Sequence, residues 1–167
     1  MKIFEFENKN DISIKYSHKC GMGHFCGFNF DLELYCSYNK CGIRLEPNDN
    51  LHENISNIRY SKYLDIDLEY FNEIYSRLKK INFDIFLETG IIYDASYYYF
   101  QISKNNYYFK VKYYEYYFLE PRSIYYKNND MTELYNIFND LQEKMDLKKW
   151  YDDILIENNI KLILPNP

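Results

Sequence analysis

The sequence predicts a single α+β domain over residues 1–167, built from two antiparallel β-meanders separated by an amphipathic helix, with one or two C-terminal helices packed on the sheet. Three observations carry this reading. Apolar residues alternate at period two through two separate stretches, one ending near Leu45 and one beginning near Phe83. Between those stretches, and again after Asp130, they recur at the three-and-four spacing of a helix. No repeat or low-complexity linker divides the 167 residues, a length that suits one core covered on both sides.

Phe4 and Phe6, then Ile12, Ile14 and Tyr16, alternate on either side of Asn8-Lys9-Asn10-Asp11, which reads as a hairpin with a polar turn. Phe28, Phe30, Leu32, Leu34 and Cys36 then share one face of a strand, with Asn29, Asp31, Glu33 and Tyr35 on the other. Ile43 and Leu45 suggest a further strand, closed by Glu46-Pro47-Asn48-Asp49-Asn50, and the polar segment from Leu51 to Tyr63 reads as irregular. Leu68, Phe71, Ile74, Tyr75, Leu78 and Ile81 form a helical stripe. Asp65 or Asp67 can cap its start, and Lys79 and Lys80 suit the negative end of its dipole.

The two-residue period returns at Phe83, Ile85 and Leu87, which lead as a strand to Gly90. Tyr98, Phe100 and Ile102 follow, then a Lys104-Asn105-Asn106 turn, then Tyr107, Phe109, Val111 and Tyr113. Asp130 with Glu133 has the form of a capping box opening a helix that carries Leu134, Ile137, Phe138, Leu141 and Met145 on one face. Asp146 begins a last helix bearing Leu147, Trp150, Tyr151 and Ile154.

Hydrophobic residues at 47% and charged residues at 27% are globular composition. A formal net charge of −5 and a pI near 5.3 argue against binding a phosphate backbone, which needs concentrated Lys and Arg, and fit an acidic surface that attracts a basic partner. The alternating, acid-bearing Met1–Glu7 segment is no signal peptide, and no run of apolar residues is long enough to cross a membrane. The expectation is a cytoplasmic protein with reduced cysteines.

The cluster His18, Cys20, His24, Cys26, Cys36 and Cys41 has a zinc-ribbon inventory. Geometry weighs against a four-cysteine site, because Cys26 and Cys36 bracket an unbroken strand whose ends lie about 25–30 Å apart at about 3.3 Å per residue. Cys36 also falls on the apolar face, where a thiol behaves as a small hydrophobe. A local site from Cys20, His24 and Cys26 stays open but lacks a fourth ligand, and the expectation is no metal and no cofactor.

No catalytic constellation emerges either, and the chain is expected not to be an enzyme. His18, His24 and His52 could pair with a thiol, but a loop histidine near a cysteine is commonplace in so dense a segment. Gly21-Met22-Gly23 imitates a phosphate loop without the helix that would follow it. Glu115 with Glu120, and Asp152 with Asp153, read as solvated charged faces.

Twelve of the 21 tyrosines fall between Tyr93 and Tyr126. If Tyr98, Phe100, Ile102, Phe109, Val111 and Tyr113 face the helices, then Tyr97, Tyr99, Tyr108 and Tyr114 lie on the opposite face among Gln101, Lys110 and Lys112. Tyrosine offers large contact area and a polar handle at low entropic cost, so these four are the candidate partner-binding residues. Two other readings compete: Ala occurs once while Asn, Ile, Lys and Tyr abound, the mark of an AT-rich coding sequence, and the Trp150–Tyr151 segment could cover this face. Single-stranded nucleic acid could stack on such rings, but the acidic charge and only two interleaved lysines disfavour it.

The opening Met1-Lys2-Ile3-Phe4-Glu5-Phe6, the β-rich first third, the helix around Leu68-Glu69-Tyr70-Phe71-Asn72-Glu73-Ile74-Tyr75, the second meander and the helix Glu133-Leu134-Tyr135-Asn136-Ile137-Phe138 together resemble the WapI-type immunity proteins of bacterial toxin systems. The resemblance covers residues 1–145 and rests on element order. It implies an intracellular protein that neutralises a toxin by binding it, and transfers no individual functional residue. The functional expectation is therefore a small acidic inhibitor of a protein partner, a nuclease-type toxin foremost. The alternatives are a phage-encoded anti-defence inhibitor such as an anti-CRISPR protein and a small zinc-binding interaction module, and a homodimer through the tyrosine-rich sheet stays open.

Overall fold

Strand β1 (Ile12–Lys19) lies inside the sheet, paired antiparallel with β2 (Phe30–Ser37) on one side and β5 (Tyr97–Lys104) on the other. β3 (Lys40–Pro47) pairs with β2, β4 (Lys62–Ile66) with β3, and β6 (Tyr107–Tyr113) with β5. The two expected strand groups thus merge into one six-stranded antiparallel sheet in the order β4-β3-β2-β1-β5-β6. The computed structural model describes residues 11–19, 29–38, 40–48, 60–87, 97–105, 107–114, 121 and 127–159. The expected Phe4–Phe6 arm lies outside them.

Helices α1 (Leu68–Leu78), α2 (Asp84–Leu87), α3 (Asn129–Met145) and α4 (Leu147–Glu157) supply the other layer. Ile14, Tyr16, Leu32, Leu34, Ile43, Leu45, Phe100 and Ile102 from the strands meet Phe71, Ile74, Leu78, Leu134, Ile137, Phe138, Leu141 and Met145 from the helices in one sealed core. Tyr16 stacks on Phe138 with ring centroids 4.9 Å apart and meets Phe100 edge-on at 5.1 Å. Each such aromatic pair adds about 1 kcal/mol to the burial of its area. Arg77 of α1 bridges to α3, donating from Nε to Glu133 at 2.6 Å and from an amino nitrogen to Asp140 at 2.5 Å. Trp150 of α4 donates its indole N–H to the Tyr60 carbonyl at 2.7 Å, pinning the entry to β4.

Several local expectations change. Residues 62–66, read as irregular through Tyr63, form β4, in which Leu64 and Ile66 pack against the core while Tyr63 and Asp65 point outward. Asp65 therefore sits in a strand, and Asp67 is the cap of α1, accepting from the Tyr70 amide at 2.7 Å. Phe83, Ile85 and Leu87 do not lie on the expected strand, because residues 84–87 make a helical turn. The cause is local: the Asn82 side chain accepts from the Asp84 amide at 3.1 Å, and the turn buries both Phe83 and Phe86. The capping box at Asp130 does not form. Asn128 caps α3, accepting from the Asp130 and Met131 amides at 3.0 and 3.1 Å, which frees Asp130 to accept from the Asn82 amide and Glu133 to bind Arg77. Asp146 opens α4 as expected but through a left-handed backbone (φ 49°) shared with the end of α3, without a side-chain cap bond.

Candidate interaction face

The sheet face turned away from the helices is laid out in rows, because paired residues share a face. One row runs Tyr63, Arg44, Glu33, Lys15, Gln101, Lys110 from β4 to β6. On one side of it lies Glu46, Asp31, Ser17, Tyr99, Lys112; on the other lies Asp65, Gly42, Tyr35, Ser13, Ser103, Tyr108. No described helix packs on these residues.

Charge is divided across this face. On the β2–β3–β4 side, Glu33 accepts from Arg44 and Ser13, and Asp31 pairs with Lys15 at 2.5 Å and accepts from the Asn48 side chain at 2.9 Å. Glu46 meets Arg44 at 3.6 Å and accepts from the Tyr63 hydroxyl at 3.2 Å. Burial opposes the Arg44 charge, but Glu33 and then Glu46 outweigh it and raise its pKa. On the β5–β6 side, Lys110 and Lys112 have no carboxylate partner among the described residues and lie over tyrosine rings instead. Lys110 Nζ is 3.6 Å from the Tyr99 centroid, and Lys112 Nζ is 3.7 Å from that of Tyr97 and 4.8 Å from that of Tyr114. Cation–π contacts of this kind contribute about 0.5–1 kcal/mol at exposed sites. Partial burial works against the Lys112 charge, and the Tyr114 hydroxyl, then Tyr97 and Tyr99, outweigh it and hold the ammonium above its ordinary pKa.

Three of the four candidate tyrosines come together. Tyr97 meets Tyr99 edge-on at 5.3 Å and Tyr114 edge-on at 5.7 Å. Tyr97 and Tyr99 are half-buried, whereas Tyr114 is only 2% exposed and serves as a support for Tyr97 and Lys112. Tyr108 stands apart at the sheet edge, 59% exposed, donating its hydroxyl to Gln101 at 3.1 Å. Tyr98 is half-buried against the core and Tyr113 fully so, the division expected from register. Missing from the sequence reading was Tyr63, 60% exposed at the opposite edge of the same face. Its signal was the Lys62-Tyr63-Leu64-Asp65-Ile66 alternation, five residues long.

Metal and catalytic candidates are placed differently. Cys20, His24, Cys26, His52, Glu115, Glu120 and the Gly21-Met22-Gly23 segment lie outside the described residues. Among the described residues no group of three or more His, Cys, Asp or Glu is arranged to hold a metal. Cys36 and Cys41 face each other across β2 and β3, buried, with the Cys41 thiol pushed up to about 12 by burial and then by Cys36. Such a thiol stays protonated and inert. His18 is half-buried between Phe30 and Tyr98, 5.1 Å from each ring, beside a cavity of about 280 Å³ under α4. That volume falls below the usual range for ligand pockets. A larger cavity of about 530 Å³ at the α3–α4 junction is lined among described residues by Asn139, Gln142, Glu143, Asp146, Leu147 and Lys148.

No protein-family model matches the chain, and no curated protein matches it. No described helix is long and apolar enough to cross a membrane.

Proposed function

We propose that this is a non-enzymatic binding protein that inhibits a protein partner, acting as an intracellular immunity protein against a nuclease-type toxin. The observation that carries the reading is the sheet face, bare of helices among the described residues, on which Tyr97 and Tyr99 are clamped by Lys112 and Lys110 next to an exposed Tyr108. Rings held by ordered neighbours lose little entropy on docking, which is how tyrosine anchors supply affinity. The wider acidic charge accelerates encounter with a basic enzyme, and the aromatic patch holds the complex once formed. The resemblance of the sequence's element order to that of WapI-type immunity proteins is consistent with the same reading.

The test is co-expression with the product of the adjoining gene in a growth assay. The wild-type chain is expected to rescue growth, and Tyr99→Ser with Tyr108→Ser to lower partner affinity by about 100-fold and abolish rescue, since two anchors at about 1–2 kcal/mol each are removed. Tyr38→Ser, at a turn residue 79% exposed, is the control and should leave rescue intact. Rescue unaffected by the double substitution would place the contact elsewhere. A phage operon in place of a toxin gene would shift the target to a defence system.

A further inference from the structure

The two ends of the sheet face turned away from the described helices are complementary to each other. Toward β6 it carries Lys110, Lys112, Tyr99 and Tyr108; toward β4 it carries Glu46, Asp65 and Tyr63. A two-fold axis parallel to the strands, lying between two such faces, opposes β6 of one copy with β4 of the other, β5 with β3, and β1 with β2, and it keeps every row aligned.

The consequences follow row by row. Lys110 comes over the exposed ring of Tyr63, and Lys15 over Glu33. Tyr99 comes over Glu46 with Lys112 diagonal to it, and the Tyr108 hydroxyl over the Asp65 carboxylate. Each contact occurs twice by symmetry. The alternative axis, across the strands, would set β6 against β6 and oppose lysine with lysine. Ser17 and Asp31, in the middle of the face, are already buried at 8% exposure, so the surface such a dimer covers lies at the two edges, where Lys110 and Tyr108 and, opposite them, Tyr63 and Asp65 are exposed. We propose that the protein self-associates as an isologous face-to-face dimer through this surface, with the lysine–tyrosine edge of each copy seated on the acidic edge of the other.

This dimer covers Tyr99 and Tyr108, so self-association and capture of a different protein exclude each other, and free protein is stored with its contact face hidden. The inference does not depend on the inhibitor reading, because it is measured on the purified chain alone. The experiment is sedimentation over a concentration series with three samples: wild type, Lys110→Glu with Lys112→Glu, and Glu46→Lys with Asp65→Lys. Wild type is expected to dimerise, and each variant alone to dimerise at least about tenfold more weakly, because like charges are then opposed. An equal mixture of the two variants is expected to recover the wild-type affinity as a heterodimer, since both edges of the mixed pair regain opposite charges.

Circular dichroism establishes that each variant is folded. Should the Glu46 variant fail to fold, Asp65→Lys alone replaces it. A wild-type monomer throughout the series overturns the proposal, as does a dimer indifferent to the lysine substitutions, or a mixture no tighter than its components. Loss of growth rescue with dimerisation intact would sink only the inhibitor reading.

Discussion

Gly42 shows how one residue shapes the sheet face turned away from the described helices. A methyl group there would lie 2.5 Å from the Tyr35 hydroxyl oxygen, 2.7 Å from the ring carbon bearing it and 3.1 Å from the Leu64 carbonyl oxygen. The Tyr35 ring therefore lies across β3 at the one place where no side chain obstructs it, and the same absence lets β4 approach. Gly42→Ala is expected to displace the ring and lower stability by about 1–2 kcal/mol. In a double-mutant cycle with Tyr35→Ala, urea unfolding should show a coupling of at least about 0.5 kcal/mol, because removing the ring removes most of the clash. Strict additivity would show that the backbone contact with Leu64 dominates.

Elements were legible in the sequence where they are long and one-sided. The alternation through Cys36 marks β2, and the stripes from Phe71 to Leu78 and from Leu134 to Met145 mark α1 and α3. The failures are short. The apolar spacing that follows Asn82 is not distinctive: two buried phenylalanines at positions 83 and 86 fit a helical turn as well as Phe83 and Ile85 fit a strand, and so short a segment cannot decide between them. The faces of Tyr97, Tyr99 and Tyr108 could be read from period two. The lysine–tyrosine stacking could not, because it depends on which residues the turn at Asn105 (φ 50°) brings opposite one another. Capping was similarly ambiguous, since Asn128 and Asp130 are both competent N-caps and only tertiary contacts decide between them. Asn128→Ala is expected to lower the unfolding free energy by about 1 kcal/mol, measured by chemical denaturation. Glu133→Gln should act instead through Arg77, and its effect should vanish in an Arg77→Met background.

For the molecule as a whole, buried weak acids set an alkaline limit. Burial raises the Tyr16 hydroxyl well above its ordinary pKa, and Cys41 rises from 9.0 to about 12. In the unfolded chain these groups ionise near their ordinary values, so between about pH 9 and pH 12 unfolding releases protons that the folded state retains. The contribution of these groups should be constant from pH 7 to about 9 and then fall, by up to about 1.4 kcal/mol per pH unit for each such group. Urea midpoints measured from pH 7 to 11 check this, and Cys41→Ala should shallow the decline. A midpoint that holds steady through pH 11 would mean that these groups ionise in the folded state.

The placement of β1 also has a consequence in time. Its second neighbour, β5, begins at Tyr97, so during synthesis Ile12, Ile14 and Tyr16 belong to a strand whose β5 side stays unpaired until Tyr97 and the residues after it have left the ribosome. Pairing across that sequence distance is slow compared with closing the β2–β3 hairpin. The nascent meander thus waits with an open border, and the tyrosine hairpin that closes it is the last of the described strand pairs to arrive.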